Sequence, residues 1–324
     1  MDKANFTSSI ALRLRRHPEF GALAGLIIVF IGFSLTATRF LTIESIAGIV
    51  TIASELAIVC GGVTFLMITG EFDLSVGSVF GLSAMVLAIT ANQGIPIIIG
   101  LLLALISAGI IGFINGFITV RFKIPSFITT LGALMFWRGI LMATTKGFSV
   151  RYTGDSIILN ILNKRFLSGF RASAIWFVLI IYILHIILTR TKYGNSTFAT
   201  GGNKEAARVL GISVNKIKIY NFIICSVLAG LAGCIQFARF CSVDPVRGQG
   251  MELEAIAAVV VGGTLMTGGY GSLIGTFFGV LLMGMVRSGL IMAGAPSYWY
   301  EAFIGIILIG AVIINTRLKG WSLE

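Results

Sequence analysis

The chain has 324 residues, 56% hydrophobic and only 11% charged, with a formal net charge of +11. A soluble globular domain carries about 25% charged residues, so a soluble core of this length is excluded and the chain reads as an integral membrane protein. Most of the basic excess falls between apolar runs, which is the pattern that sets membrane orientation and not a nucleic-acid surface.

The N-terminal segment, residues 1–19, carries Lys3, Arg13, Arg15 and Arg16 ahead of the first apolar run. That run is long enough to span and ends without an Ala-x-Ala-like cleavage site, so it is taken as a retained first helix. The expectation is an all-α polytopic protein of about ten spans, forming a single transmembrane domain over 1–324. In chain order the spans are Phe20–Thr38, Ile43–Ile68, Leu74–Ala91, Pro96–Val120, Ser126–Thr145, Ala172–Thr189, Ile217–Ala238, Met251–Met266, Ser272–Ala293 and Tyr298–Ile314. Each holds roughly 17–26 residues, against about 20 needed for a hydrocarbon core of ~30 Å. An even count with a cytoplasmic N-terminus puts the C-terminus there too, and more Lys and Arg then fall on the cytoplasmic side. Most of the contrary charge sits in one long loop, Lys146–Arg171, with room for a short surface helix.

Gly70 to Ser78, Gly-Glu-Phe-Asp-Leu-Ser-Val-Gly-Ser, puts two carboxylates between apolar runs. It reads as a broken or re-entrant helix, tolerable at membrane depth only where protein or water covers its backbone. Asp73 and Ser75 either cap the helix that follows or touch a transported solute. Phe72, Asp73, Ser75, Asn115, Thr130 and Gln236 form the candidate translocation path. The neutral polar residues among them suit a polyol, or alternatively bridges between neighbouring helices. Glu55 is a further buried acid, with Arg138 or Arg287 as its guessed partner.

The stretch Thr69–Gly81 matches Thr267–Gly279 without a gap. Thr, Gly, Gly, Phe and Gly recur at the same places, which fits either internal duplication of a transporter fold or two converged helix junctions. On a ten-span count the copies lie on the same side; parallel and inverted repeats both remain open.

The stretch Thr189–Lys218 is a polar island, and 190–216 is read as a cytoplasmic loop. Asn203 suits an N-cap, Lys204–Leu210 are mostly good helix formers, and Gly211 suits the residue after a helix C-terminus. A helix of about two turns is too short to span. It reads as a docking knob for a cytoplasmic partner.

Absences narrow the function. There is no Gly-x-x-x-x-Gly-Lys-Ser/Thr phosphate loop, no Gly-x-Ser-x-Gly elbow and no His-Glu-x-x-His. Four cysteines lack a CxxC spacing, and His17 and His185 are far apart, so neither a metal site nor an enzyme is expected.

Four stretches together carry a resemblance: Gly70–Ser78, Lys123–Gly132 (Lys-Ile-Pro-Ser-Phe-Ile-Thr-Thr-Leu-Gly), Gly201–Ile212 (Gly-Gly-Asn-Lys-Glu-Ala-Ala-Arg-Val-Leu-Gly-Ile) and Gly262–Thr276. The chain resembles the permease of ribose-type (monosaccharide) ABC importers over nearly its full length. Glu71 departs from the family pattern, where Gly is commoner. The resemblance implies that Gly201, Gly202, Asn203, Lys204, Glu205, Ala206, Ala207, Arg208, Leu210 and Gly211 contact an ATPase subunit with two nucleotide-binding domains. It also implies an extracytoplasmic sugar-binding protein, a second permease copy or paralogue, and location in a bacterial inner membrane. ATP and Mg would bind the ATPase, leaving this chain without a cofactor. The same family includes nucleoside and signalling-furanose permeases. An ion-coupled secondary transporter is the alternative outside it, and would need titratable buried carboxylates.

Overall fold

The computed structural model describes residues 19–166, 169–296 and 298–320, with side chains described as far as residue 313. Of the expected N-terminal segment 1–19, residues 1–18 lie outside the described residues.

Among the described residues thirteen helices follow in chain order: α1 (Glu19–Thr36), α2 (Ile43–Ile68), α3 (Val76–Asn92), α4 (Ile97–Phe122), α5 (Ser126–Thr145), α6 (Ile157–Asn163), α7 (Ala172–Arg190), α8 (Lys192–Gly202), α9 (Lys204–Val209), α10 (Val214–Phe240), α11 (Met251–Val261), α12 (Leu273–Met292) and α13 (Trp299–Gly320). The described strand content is one two-residue antiparallel pair, β1 (Val150–Arg151) with β2 (Ser242–Val243). The loop Lys146–Arg171 does carry a short helix, α6, whose first turn is capped by the Ser156 hydroxyl.

Among the described residues seven helices are long and apolar enough to cross a membrane: α1, α2, α4, α5, α7, α10 and α12. The chain is therefore a polytopic helical membrane protein, but the expected ten spans are not ten full-length helices. The expected Leu74–Ala91 span becomes α3, which is 17 residues long because Asp73 and Ser75 hold the preceding backbone in a turn. The expected Met251–Met266 span ends at Val261, where Gly262 and Gly263 stop α11 after 11 residues. At 1.5 Å per residue it is about 16 Å long, roughly half of a hydrocarbon core. The apolar part of α13 is a shorter helix as well, Trp299–Ile313. A structured helix not expected from the sequence, α8, opens the polar island with Thr191 as its N-cap.

Helix α10 is the axle. It packs against α4, α3 and α2. Small residues allow the approach: Gly112 of α4 faces the Phe222 carbonyl and Ser226, and Gly116 faces Ile219. In a bilayer such close backbone contact is what holds helices together, because lipid supplies no hydrophobic drive between them.

The two copies of the repeat are laid out alike. Each begins at a chain reversal with a positive-φ glycine, Gly70 or Gly268, and each runs into a helix. In α3, Gly77 and Gly81 lie against the carbonyls of Gly248 and Arg247; in α12, Gly275 and Gly279 lie against those of Gly262 and Ala258. A Cβ at Gly77 or Gly275 would collide with backbone. The copies also touch each other. A Cβ at Gly268 would meet the Gly70 backbone, and just ahead of the first copy the Ile68 carbonyl accepts from Gly269 N–H at 2.8 Å and the Thr64 hydroxyl shares a 2.8 Å hydrogen bond with that of Thr276.

Candidate functional site

Three features stand out: the short capped helix α9, the helix break before α3, and a charged cavity at the other end of α10.

The α9 end is built locally. Asn203 Oδ1 accepts from the backbone N–H groups of Glu205 (3.1 Å) and Ala206 (3.0 Å), satisfying first-turn donors that the helix cannot. Gly211, at φ +80°, turns the chain after Leu210. Val209 and Leu210 are 88% and 77% exposed, whereas Ala207 is buried. Arg208 donates to Glu205 at 2.6 Å on the surface. The helix is thus neither buried among the long helices nor packed over by another element on its Val209–Leu210 face. Its root is different. Gly201, at the end of α8, lies so close to the Ile68 carbonyl and the Gly269 N–H that a Cβ would overlap both. The polar island is seated directly on the seam between the two repeat copies.

The break, residues 69–75, is sewn to its neighbours. Thr69 donates from its hydroxyl to the Leu66 carbonyl, and Phe72 N–H donates to Ser126 Oγ at 3.1 Å. Thr130 sits beside them, donating chiefly to the Ser126 carbonyl at 2.7 Å. Asp73 Oδ1 accepts from Ser75 N–H (2.8 Å) and Ser75 Oγ (2.6 Å), while Asn115 Nδ2 donates to Ser75 Oγ at 2.9 Å. Asp73 therefore orders the turn ahead of α3, whereas the Ser75 side chain makes no cap bond and bridges Asp73 to Asn115. Asp73, Ser75, Asn115 and Thr130 are all buried, and Phe72 is partly so. Five of the six path candidates thus meet at the break in two hydrogen-bonded sets, Asp73–Ser75–Asn115 and Phe72–Ser126–Thr130, joined along the chain at Phe72–Asp73. The sixth, Gln236, lies elsewhere, in the cavity.

Glu71 is not free to reach solvent. It is ion-paired with Lys218 of α10, and both side chains are only about a tenth exposed. No local pattern links these residues, which are 147 positions apart. Their opposite charges at the edges of apolar runs were the only signal the sequence offered, and that signal selects no partner.

The cavity holds about 480 Å³ at the C-terminal end of α10, lined from α2, α10, α11, α12, α13 and the loop 246–250. Glu55 is its organising acid. It accepts from Arg239 Nη1 at 3.1 Å and from Gln236 Nε2 at 2.8 Å. The guessed partners are corrected: Arg287 pairs with Glu254 at 3.7 Å, and Arg138 donates to the carbonyls of Pro245 and Arg247. Geometry decides this, since Arg239 lies at the C-terminal end of α10 beside α2. Glu254 also accepts from the Tyr300 hydroxyl. No group of three or more His, Cys, Asp or Glu residues able to hold a metal occurs among the described residues, and Cys60, Cys225, Cys234 and Cys241 are all free thiols.

The family described as branched-chain amino acid transport system / permease component matches residues 45–312. The chain belongs to this permease family. Relatives match over almost their whole length. The permease is 32% identical to the ribose import permease protein RbsC of Bacillus subtilis (strain 168), covering 92% of this chain and 93% of that one. It is 33% identical to RbsC of Escherichia coli (strain K12), covering 92% and 94%. It is 31% identical to the autoinducer 2 import system permease protein LsrC of Photorhabdus laumondii, covering 94% and 91%. No solved structure matches. The permease is thus a multi-pass membrane transport component, and its relatives are named as import permeases.

Proposed function

We propose that this permease is the membrane-spanning subunit of an ATP-driven, binding-protein-dependent importer of a sugar or sugar-like solute in a bacterial inner membrane. The relatives named for ribose and autoinducer 2 import support the solute class. The observation that carries the coupling role is the exposed, Asn203-capped helix α9, seated through Gly201 on Gly269 of the second repeat copy and on Ile68, the residue just before the first. A cytoplasmic ATPase subunit with two nucleotide-binding domains grips Gly201–Gly211. The push enters at Ile68 and Gly269, the ends of the first repeat's leading helix and of the second repeat's reversal. It passes to α3 and α12 without crossing a flexible linker. A second permease copy or paralogue completes the path, and an extracytoplasmic binding protein delivers the solute to the cavity end.

In this reading the single permease domain makes ten passages of the bilayer, seven by long helices. The other three are residues 69–92, residues 241–261 and α13. Packing directions support the alternation: α3 runs against α4, α4 against α10, and α2 against α12, while α1 runs with α12. Both termini then fall on the α9 side, the cytoplasm.

The test is charge reversal at both Glu205 and Arg208. The variant reaches the membrane in normal amount, because the pair is exposed, but the ATPase no longer co-purifies. Retention of the ATPase by that variant overturns the coupling role. An ion-coupled carrier is the competing reading, favoured by the one buried carboxylate of the break with no cationic partner among the described residues, Asp73. Uptake that survives deletion of the ATPase would establish it.

A further inference from the structure

We propose that the cavity at the C-terminal end of α10 is a solute-holding site inside each protomer, shaped for a neutral polyhydroxylated molecule of monosaccharide size. This rests on the importer reading above and adds to it a place and a charge class.

Size comes first. The roughly 480 Å³ volume lies within the range of about 300–1,000 Å³ typical of small-molecule sites. The volume persists because the loop beside it has little to fill it: Gly248 and Gly250, at φ +82° and +80°, turn the chain with no side chain.

Charge comes second. The lining carries three acids, Glu55, Glu254 and Glu301, and three arginines, Arg239, Arg247 and Arg287. The charges balance, so an anion or a cation gains no net Coulomb attraction while still losing its hydration. A molecule rich in hydroxyls, which both donate and accept, can use each of these groups.

Spare bonding capacity comes third. Gln236 Oε1 is buried and accepts from nothing among the described residues, although its amide nitrogen is committed to Glu55. Arg247 forms no carboxylate pair among the described residues. Its guanidinium instead lies over the Phe240 ring, 4.3 Å from the centroid, with Arg239 also at 4.7 Å from that ring. A buried acceptor without a donor, and a guanidinium that lacks a carboxylate partner and bonds only to the Ser242 carbonyl at 3.5 Å, leave an acceptor and several donors for hydroxyl groups.

Connection to the moving parts comes fourth. The Gly248 carbonyl in the cavity loop abuts Gly77, in the first turn of α3. A shift of the broken helix therefore moves the cavity wall.

The test is protection from alkylation. Cys241→Ser removes the native thiol outside the core; Cys60, Cys225 and Cys234 are buried and inert. In that background Val246→Cys at the rim and Ile304→Cys inside report on the cavity, and Phe148→Cys, exposed elsewhere, is the control. The permease, purified with whatever subunits accompany it and reconstituted, is alkylated in the presence of D-ribose, D-galactose, D-mannitol, D-ribose 5-phosphate or D-glucosamine. At least one neutral probe, well above its dissociation constant, slows alkylation at 246 and 304 by about tenfold and leaves 148 unchanged. Gln236→Leu weakens that protection by about tenfold with protein amount unaltered. Protection by a charged probe alone, or by none, overturns the assignment, as does full protection in Gln236→Leu. Co-purification of the ATPase from the same membranes separates the two readings. ATPase bound with no protection sinks the cavity site alone, and protection without ATPase sinks the importer reading alone.

Discussion

The two ends of α10 are built in opposite ways. At the Lys218 end, helix termini meet backbone to backbone, through Gly201, Gly268 and Gly269, and the charged pair Glu71–Lys218 is sealed in. At the Arg239 end, helices stand apart around a cavity and are tied by a net of acids, arginines and a tyrosine. The first arrangement transmits displacement, since close-packed backbone has nowhere to yield. The second can change its contents, since it encloses an open volume with an uncommitted polar atom, Gln236 Oε1, on its wall, even though each ion pair there sets a buried acid against a partly exposed arginine.

Substitutions can break this contrast, and the largest effect is expected at the sealed pair. Lys218→Met leaves Glu71 as an uncompensated buried charge and destabilises by about 3–5 kcal/mol; Glu71→Gln combined with Lys218→Met recovers most of it. Thermal unfolding in detergent across the four variants of the cycle reads this directly, and strict additivity would disprove the pairing. Next comes the seam. Gly201→Ala drives a methyl into the backbone of Ile68 and Gly269 and costs about 1–3 kcal/mol or more, whereas Gly202→Ala, whose nearest neighbour is Gly269 Cα at 3.9 Å, is near neutral. Equal melting temperatures for the two variants would remove the seam from the account. Asn203→Ala then costs about 1 kcal/mol, the usual loss for an N-cap, seen as faster amide exchange at Glu205 and Ala206. At the cavity end Gln236→Leu costs about 1 kcal/mol, because Glu55 loses the 2.8 Å bond from the amide nitrogen but keeps Arg239, and the amide oxygen has no bond to lose. A loss as large as that of Lys218→Met would show the two ends to be equally rigid.

What the sequence made legible was local. Asn203, Gly211 and the turn at Asp73 are read from neighbours within three residues, because capping is a short-range hydrogen bond. The repeat was legible as a pattern of glycines, and the structure supplies its reason in the carbonyls they face. The ion pairs were not legible. Glu55 with Arg239 and Glu71 with Lys218 join residues from distant helices, and nothing along the chain selects Arg239 over Arg138 or Arg287. The length of α11 was missed because its apolar run continues through Leu265 and Met266 after the backbone has already turned at Gly262–Gly263. The path candidates divided for the same reason: Asp73, Ser75, Asn115 and Thr130 are polar because they hold a turn together, while Gln236 is polar at a cavity wall.

The hydrogen bond from Gly269 to Ile68 also has a bearing on how the polypeptide matures. Its acceptor leaves the ribosome about 200 residues before its donor (positions 68 and 269). Until then the last carbonyl of α2 has no mate within the chain and is left to water or the translocon. Insertion of the N-terminal half is therefore provisional, and the nascent protein closes only when its final third is made.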